Sequence, residues 1–386
     1  MPKTLVIDDD PATEAMFLEA LGQSSGGDNE LLFAATDDHA LDLLRGNTDI
    51  DIAVVSIDSE NLSGMDIFQR LEDKDARLPR IALSRRDDLG ELRRALADGA
   101  SDFLVKPVDG DELAQTLARV YDECQRRRLN WKNEAELSAI RREIEIAADI
   151  QRRILPRRFP VIRGLDVFAR TVPAKTVGGD FYDVFELGPP GKLGLVIADV
   201  SGKGIPAAFY MAVARTLIRA TAPGAASPGE CLAEVNGLLC RHDVPGMFVS
   251  VFYGVLDTGS WRLTFANGGH PPPLLVTPVG QGEGLIEALQ GGEGTLLGID
   301  EGQVYEEGEV SLAPGEGVFF YTDGLTEAFD FEANPFGEER LWRCLATAAA
   351  GSASDSAGAA AAAIADFVGE AAPHDDITSL VIKRVG

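Results

Sequence analysis

The sequence predicts an α/β chain: a doubly wound parallel sheet, then a helical coiled-coil linker, then an α+β sandwich. Three observations lead there. Up to about residue 121, five short apolar runs alternate with five amphipathic stretches, the pattern of βα units laid on a parallel sheet. From Asp111 to about Leu155 helical character continues unbroken until Pro156 and Pro160 stop it. Beyond Gly164, many strand-length apolar runs are mixed with a few helical stretches, which points to packed sheets. The expected boundaries are 1–121, 122–160 and 161–386.

In the first region Thr4–Ile7, Leu31–Ala34, Ile52–Ile57, Arg80–Leu83 and Asp102–Val105 read as strands. Thr13–Leu21, Asp38–Leu44, Met65–Leu71, Leu89–Ala97 and Asp111–Val120 read as helices. A sheet of this kind places its site at the carboxyl ends of the strands. Asp8 and Asp9 follow the first strand, Asp58 the third, Ser84 the fourth and Lys106 the fifth. Over its whole length the region resembles the receiver domain of bacterial two-component response regulators. Lys106-Pro107 matches that family's Lys-Pro, and Asp8-Asp9 match its magnesium-binding pair. The resemblance implies a sensor histidine kinase as partner, Mg²⁺ on Asp8 and Asp9, and Asp58 as phosphoacceptor. Ser84 and Lys106 would sense the phosphoryl oxygens and bias a two-state surface. The loop from Asp58 to Gly64-Met65-Asp66 lacks a proline and is a residue longer than the family pattern. That leaves open a degenerate receiver, with Ser56 at the strand end and no phosphate accepted. Asp8 and Asp9 alone would also serve as a helix N-cap cluster.

In the linker, Leu137, Ile140, Ile144, Ala147 and Ile154 recur in alternating steps of three and four, with Gln151 in the remaining slot. This is the a/d seam of a short parallel coiled coil, and two copies would make a homodimer. The alternative is an amphipathic helix packed on its own domain.

In the third region the strand-like runs are Leu165–Arg170, Phe181–Leu187, Leu193–Asp199, Met247–Leu256, Trp261–Ala266, Pro273–Val276, Gly317–Tyr321 and Ile377–Lys383. Helices are expected over Ile205–Ala220, Pro228–Cys240, Glu338–Ala350 and Ser356–Val368, the alanine-rich stretch from Ser352 reading as loop, then helix. Four acidic motifs punctuate these runs: Val177-Gly-Gly-Asp-Phe-Tyr-Asp183, Ala198-Asp-Val-Ser-Gly-Lys-Gly204, Tyr321-Thr-Asp-Gly-Leu-Thr-Glu327 and His374-Asp-Asp-Ile-Thr378. A carboxylate at a strand end is a hard oxygen ligand, and several at one point repel unless a divalent cation neutralises them. The expectation is that the four segments meet around a pair of metal ions.

With Asn267-Gly-Gly-His-Pro-Pro272 between them, these motifs stand in the order seen in metal-dependent protein phosphatases. The resemblance is to the bacterial branch of sporulation and general-stress serine phosphatases, over Ile150–Arg384. It implies a ββαα sandwich holding two Mn²⁺ or Mg²⁺ ions. Asp180 and Asp199 would be direct ligands with the Val200 carbonyl, and Asp323 and Asp375 would complete the second ion's shell. It further implies hydrolysis of a protein phosphoserine or phosphothreonine without a covalent enzyme intermediate. The implied substrate is a phosphorylated anti-sigma-factor antagonist. Asp183, Lys203 and His270 read as structural, with His270 at a turn and, less favoured, as proton donor to the leaving group. Asp376 stands where relatives carry asparagine. The helix starting at Ile205 is where, by analogy, a regulatory domain could reposition metal ligands.

The 386 residues suit two or three domains, and a 45% hydrophobic share supports a sizeable core. A net charge of -27 argues against nucleic acid or an anionic membrane as partner. Cys124, Cys231, Cys240 and Cys344 form no Cys-x-x-Cys pair, so reduced thiols and no zinc site are expected. Lys3 and Asp8–Asp10 interrupt any signal peptide and no run is long enough to span a membrane, so a cytoplasmic location is expected. Two other functions remain open: an active phosphatase whose receiver is a constitutive dimer scaffold, and a phosphatase-like module that binds without hydrolysis.

Overall fold

The computed structural model describes residues 3–22, 30–59, 61–62, 65–74, 78–85, 89–188, 191–242, 244–280, 282–371 and 374–386. The chain divides into two compact units, Met1–Ala139 and Ile140–Gly386.

The first unit runs β1 (Lys3–Ile7), α1 (Pro11–Gly22), β2 (Glu30–Ala34), α2 (Asp37–Gly46), β3 (Ile52–Ser56), α3 (Met65–Lys74), β4 (Arg80–Ser84), α4 (Leu89–Ala97) and β5 (Asp102–Val105). It then enters α5 (Gly110–Ile154). All strand pairs are parallel, in the order β2-β1-β3-β4-β5. Every residue of β3 and β4 is buried, as a sheet covered on both faces requires. The two-residue pleat sorts side chains into two cores: Leu5, Ile7 and Val55 pack with Phe68 on one face, Val6 and Val54 with Phe17 and Leu117 on the other. Because β1 lies between β2 and β3, the topological switch opens a crevice at their carboxyl ends.

The second unit contains β6 (Leu165–Val172), β7 (Phe181–Glu186), β8 (Lys192–Val200), α6 (Ile205–Thr221), α7 (Pro228–His242), β9 (Val249–Asp257) and β10 (Arg262–Gly268). There follow β11 (Leu274–Thr277), β12 (Leu285–Ala288), β13 (Gly308–Ser311), β14 (Gly317–Tyr321), α8 (Asp323–Thr326), α9 (Glu338–Ala348), α10 (Ala353–Val368) and β15 (Ile377–Arg384). Two antiparallel five-stranded sheets form, β13-β10-β9-β8-β7 and β12-β11-β14-β15-β6. Phe252 of β9 meets Phe320 of β14 edge-on, with ring centres 5.5 Å apart, in a core shared by Ile197, Val251, Leu380 and Ile382. Met211, Leu232 and Val235 of α6 and α7 join that core from the first sheet's outer side. Leu341, Leu345, Ala357 and Ile364 of α9 and α10 pack with Phe319 and Val381 of the second sheet. The layers therefore run helix, sheet, sheet, helix.

The short edge strands β12 and β13 and the one-turn helix α8 were not among the sequence expectations. Helix α10 starts three residues earlier than expected, because Ser352 and Asp355 close a capping box. Helix α5 is continuous over 45 residues. In its last two turns Ala148 is buried, as is Leu155 just past its end, and Gln151 bonds to the chain's own backbone, so the amphipathic-helix alternative describes that part. Leu137 and Ile140 of the expected seam are exposed, as are Ile146 and Ile150. No described helix is long and apolar enough to cross a membrane.

Candidate metal centre

Four carboxylates are presented by strand ends of the two facing sheets. In the first sheet Phe181 pairs with Ala198 in antiparallel register, so Asp180 and Asp199 lie opposite one another. In the second, Tyr321 pairs with Ser379, and the pairing is carried one step further by Thr322. Its amide donates to the Thr378 carbonyl at 3.1 Å and its hydroxyl accepts from the Thr378 amide at 3.0 Å. Asp323 therefore leaves the same end of the sheet as Asp375 and Asp376. The Thr322 hydroxyl also donates to Asp180 Oδ2 at 2.8 Å, tying one sheet to the other.

The electrostatics make these residues one site. Burial first, then the charges of Asp199 and Asp376, push the proton affinity of Asp180 well above the usual carboxylate range. Asp199 is pushed up to about 7 by burial and then by Asp323, with Asp375 and Asp376 adding. Asp323 is raised by burial and by Asp375. Against this negative charge stands Lys203, whose ammonium lies 3.0 Å from Asp375 Oδ2 and 2.5 Å from the His374 carbonyl. Among the described residues no three acidic, histidine or cysteine side chains are already drawn to one point. A shared field, rather than a closed cage, joins them. Hard oxygen donors in charge excess fit Mn²⁺ or Mg²⁺.

The glycines of the motifs serve close packing. A Cβ on Gly178 would stand 2.2 Å from Asp376 Oδ2, one on Gly179 2.7 Å from the Val200 carbonyl oxygen, and one on Gly324 2.1 Å from the Asp376 carbonyl oxygen. Asp376 is the pin of this arrangement: its two oxygens accept from the Ala174 and Gly179 amides, each at 2.7 Å. Sequence reading had left its role open. The missing signal is long-range, since nearly two hundred residues separate the partners.

The remaining polar residues of the motifs have structural partners. Asp183 is buried between Arg215 at 2.6 Å and Arg219 at 2.9 Å, which fasten α6 to β7. His270 is buried, its Nδ1 2.9 Å from the Ser250 hydroxyl, and burial lowers its pKa to about 3. A neutral imidazole in that position packs as part of the core. The turn itself is closed by Asn267, which accepts from the His270 amide at 2.7 Å and donates to its carbonyl at 2.8 Å.

In the first unit the expected residues also converge. Lys106 forms an ion pair with Asp8, which accepts from Thr13 at 2.8 Å. Asp9 accepts from Asn61 at 2.7 Å, and hydrogen bonds from Ser59 first and then Asn61 hold its carboxyl below the usual range. The Ser84 hydroxyl and the Arg85 amide reach Asp58 Oδ2 at 3.3 and 2.6 Å, whereas Ser56 is buried within β3. Gly64, part of the loop that departs from the family pattern, lies outside the described residues.

A parallel-sheet domain with this acidic pocket, followed by a two-sheet sandwich with opposed carboxylates, is a receiver domain joined to a PP2C-type phosphatase domain. The chain belongs to the Stage II sporulation protein E (SpoIIE) family: that family's model matches residues 189–385, over half of the chain. The response regulator receiver domain matches residues 4–118. Protein IcfG of Synechocystis sp. is 30% identical over 233 residues, covering 53% of this chain and 36% of IcfG. Phosphoserine phosphatase RsbU of Bacillus subtilis is 30% identical over 188 residues, covering 49% of this chain and 54% of RsbU. The chain thus spans about a third to a half of these relatives' lengths. Among solved structures, the SiaA-PP2C domain of Pseudomonas aeruginosa superimposes with a TM-score of 0.56 at 28% identity, covering 64% of this chain and 98% of that one.

Proposed function

We propose that the chain is a response regulator that hydrolyses phosphoserine or phosphothreonine on a protein, with two Mn²⁺ or Mg²⁺ ions as cofactor. Asp180, Asp199, Asp323, Asp375 and the Val200 carbonyl would hold the ions. When bound, they would supply charge neutralisation for the phosphate and an activated water. The observation that carries the reading is the convergence of strand-end carboxylates from both sheets, Asp180 opposite Asp199 in one and Asp323 beside Asp375 in the other, joined by the Thr322 hydroxyl on Asp180. The chain's own residues prepare this charge: Thr322 orients Asp180, and Lys203 neutralises Asp375. The likeness to the phosphoserine phosphatase RsbU supports a phosphoserine substrate, and the resemblance of the motifs to the general-stress branch implies that it is carried by an anti-sigma-factor antagonist. In the receiver, Asp58 would accept the phosphoryl group from a sensor histidine kinase, with Mg²⁺ on Asp8 and Asp9 and with Ser84 and Lys106 reading the result.

Manganese-dependent release of phosphate from a phosphorylated antagonist protein tests the output, and the reading requires its loss in Asp199→Ala. Labelling by acetyl phosphate tests the input, and must vanish in Asp58→Ala. Phosphate release without labelling would leave the receiver as a scaffold. The exposed Leu137 and Ile140 favour a second copy of the chain along α5.

A further inference from the structure

Between β6 and β7 the chain crosses from one sheet to the other through an irregular segment, residues 173–180, that ends on Asp180. Backbone amides and carbonyls there have no ladder partner, and buried ones must find partners elsewhere. Two side chains from distant parts of the sequence provide them. Asp376 accepts from the Ala174 and Gly179 amides. On the other side Gln151, in the last turn of α5, donates through Nε2 to the Gly178 carbonyl at 2.6 Å and accepts through Oε1 from the Gly178 amide at 3.2 Å. The two Gln151 contacts form an amide-to-amide pair, the geometry one strand residue offers another.

We propose that Gln151 is a positioning residue for the metal site: it fixes the Gly178-Gly179 backbone, and through it the buried carboxylate of Asp180. The inference rests on the metal-site reading above and adds to it a point of control. Asp180 has its side chain held by Thr322, but its backbone position is inherited from Gly178 and Gly179, whose lack of side chains lets them lie against Asp376 and Val200. Asp376 alone holds this segment from the β15 side. Without Gln151 the Gly178 carbonyl and amide lose both partners, and the segment can lift from the sheet ends. Gln151 belongs to a helix that starts at Gly110, so the Asp180 segment is set by that helix as well as by the two sheets. The same glutamine sits in a slot of the coiled-coil repeat, where an apolar side chain would serve a helical partner better.

The test uses the full chain and Mn²⁺ as probe, comparing the natural protein with Gln151→Ala, Gln151→Glu and, as a helix control, Glu145→Ala. Partners of metal ligands change affinity by about 10- to 100-fold when removed. Gln151→Ala is expected to raise the Mn²⁺ concentration for half-maximal binding, followed by the ion's electron paramagnetic resonance signal, by about tenfold. Hydrogen exchange should speed up in peptides covering 174–180 and stay unchanged in β8 and β9. Saturating Mn²⁺ should restore kcat to within about threefold, a split that a general loss of structure does not give. Gln151→Glu keeps the acceptor but sets a carboxylate against the Gly178 carbonyl, and should fall between the two. Equal Mn²⁺ affinity in Gln151→Ala and the natural protein would overturn the proposal. So would an affinity loss matched by faster exchange throughout the unit. Should the natural protein bind Mn²⁺ yet release no phosphate, the hydrolytic reading fails while binding and exchange still decide the role of Gln151. Should it bind none, both fall.

Discussion

Two acidic pockets in one chain handle their charge in opposite ways. In the receiver the three successive aspartates after β1 have partners: Asp8 has Lys106, Asp10 has Arg85 at 3.0 Å, and Asp9 has Asn61. Hydrogen bonds lower the proton affinity of Asp9. In the phosphatase domain, burial and mutual repulsion raise Asp180, Asp199 and Asp323. The contrast recurs inside one motif. Asp180 and Asp183 are both buried, yet Asp183 is bracketed by Arg215 and Arg219 while Asp180 faces other acids. A pocket compensated from within can stay formed and await a phosphoryl group. One whose acids outnumber its single cation among the described residues, Lys203, demands further cations from outside.

The largest expected effect breaks the comparison on the side with excess acid. Asp199→Asn should lower phosphate release by about a thousandfold or more, the scale of several kcal/mol of lost charge stabilisation. Denaturant unfolding in EDTA should show the same variant to be more stable than the natural protein at pH 8. The sign follows from linkage. Below about pH 4 Asp199 is protonated in both the folded and the unfolded chain, and pH has no leverage through it. Between the ordinary value of 3.8 and about 7, the folded chain keeps a proton that the unfolded chain has lost. Metal-free stability therefore falls as pH rises through that window, by on the order of 4 kcal/mol, and levels off above it. Adding Mn²⁺ at pH 8 should restore the loss, and at pH 6, where folded Asp199 still holds its proton, binding should release protons. A flat EDTA profile from pH 5 to 8 would erase the distinction between the pockets.

On the compensated side, Asp183→Ala leaves two arginines facing a void and should cost about 3 kcal/mol in denaturant unfolding. Mn²⁺ affinity should hold steady in the same variant. Lys106→Ala exposes Asp8 to no opposite charge and should destabilise the receiver by about 2 kcal/mol, leaving the thermal transition of the second unit in place. The smallest effect is local: Ser352→Ala removes the cap of α10 and should cost about 1 kcal/mol by thermal unfolding.

Sequence patterns revealed the long, buried elements and missed those without strong periodicity. Strands β3, β4 and β14 have apolar centres and are buried at every residue, so they stand out. β12 and β13 are four-residue edge strands that alternate between exposed and half-buried positions, and Glu287 and Glu309 within them resemble loop chemistry. The proposed ligands were legible because each acid lies at one end of an apolar run, Asp180 and Asp323 directly beside a glycine. Their supports were not. Lys203 on Asp375, Asp376 on the Gly179 amide and Gln151 on Gly178 are pairings across long stretches of chain. Gln151 read as a coiled-coil position because a helical repeat records which face a residue occupies, but not what lies opposite.

The packing of Gly324 has a genetic consequence. Its α-carbon passes so close to the Asp376 carbonyl that one added methyl group would sit 2.1 Å from that oxygen and 3.1 Å from the Asp375 Cβ. Inactivating alleles gathered blind should therefore cluster at the codons for residues 178, 179 and 324 as densely as at those for the aspartates, and a glycine-to-alanine change there should be as damaging to a cell as the loss of an acid.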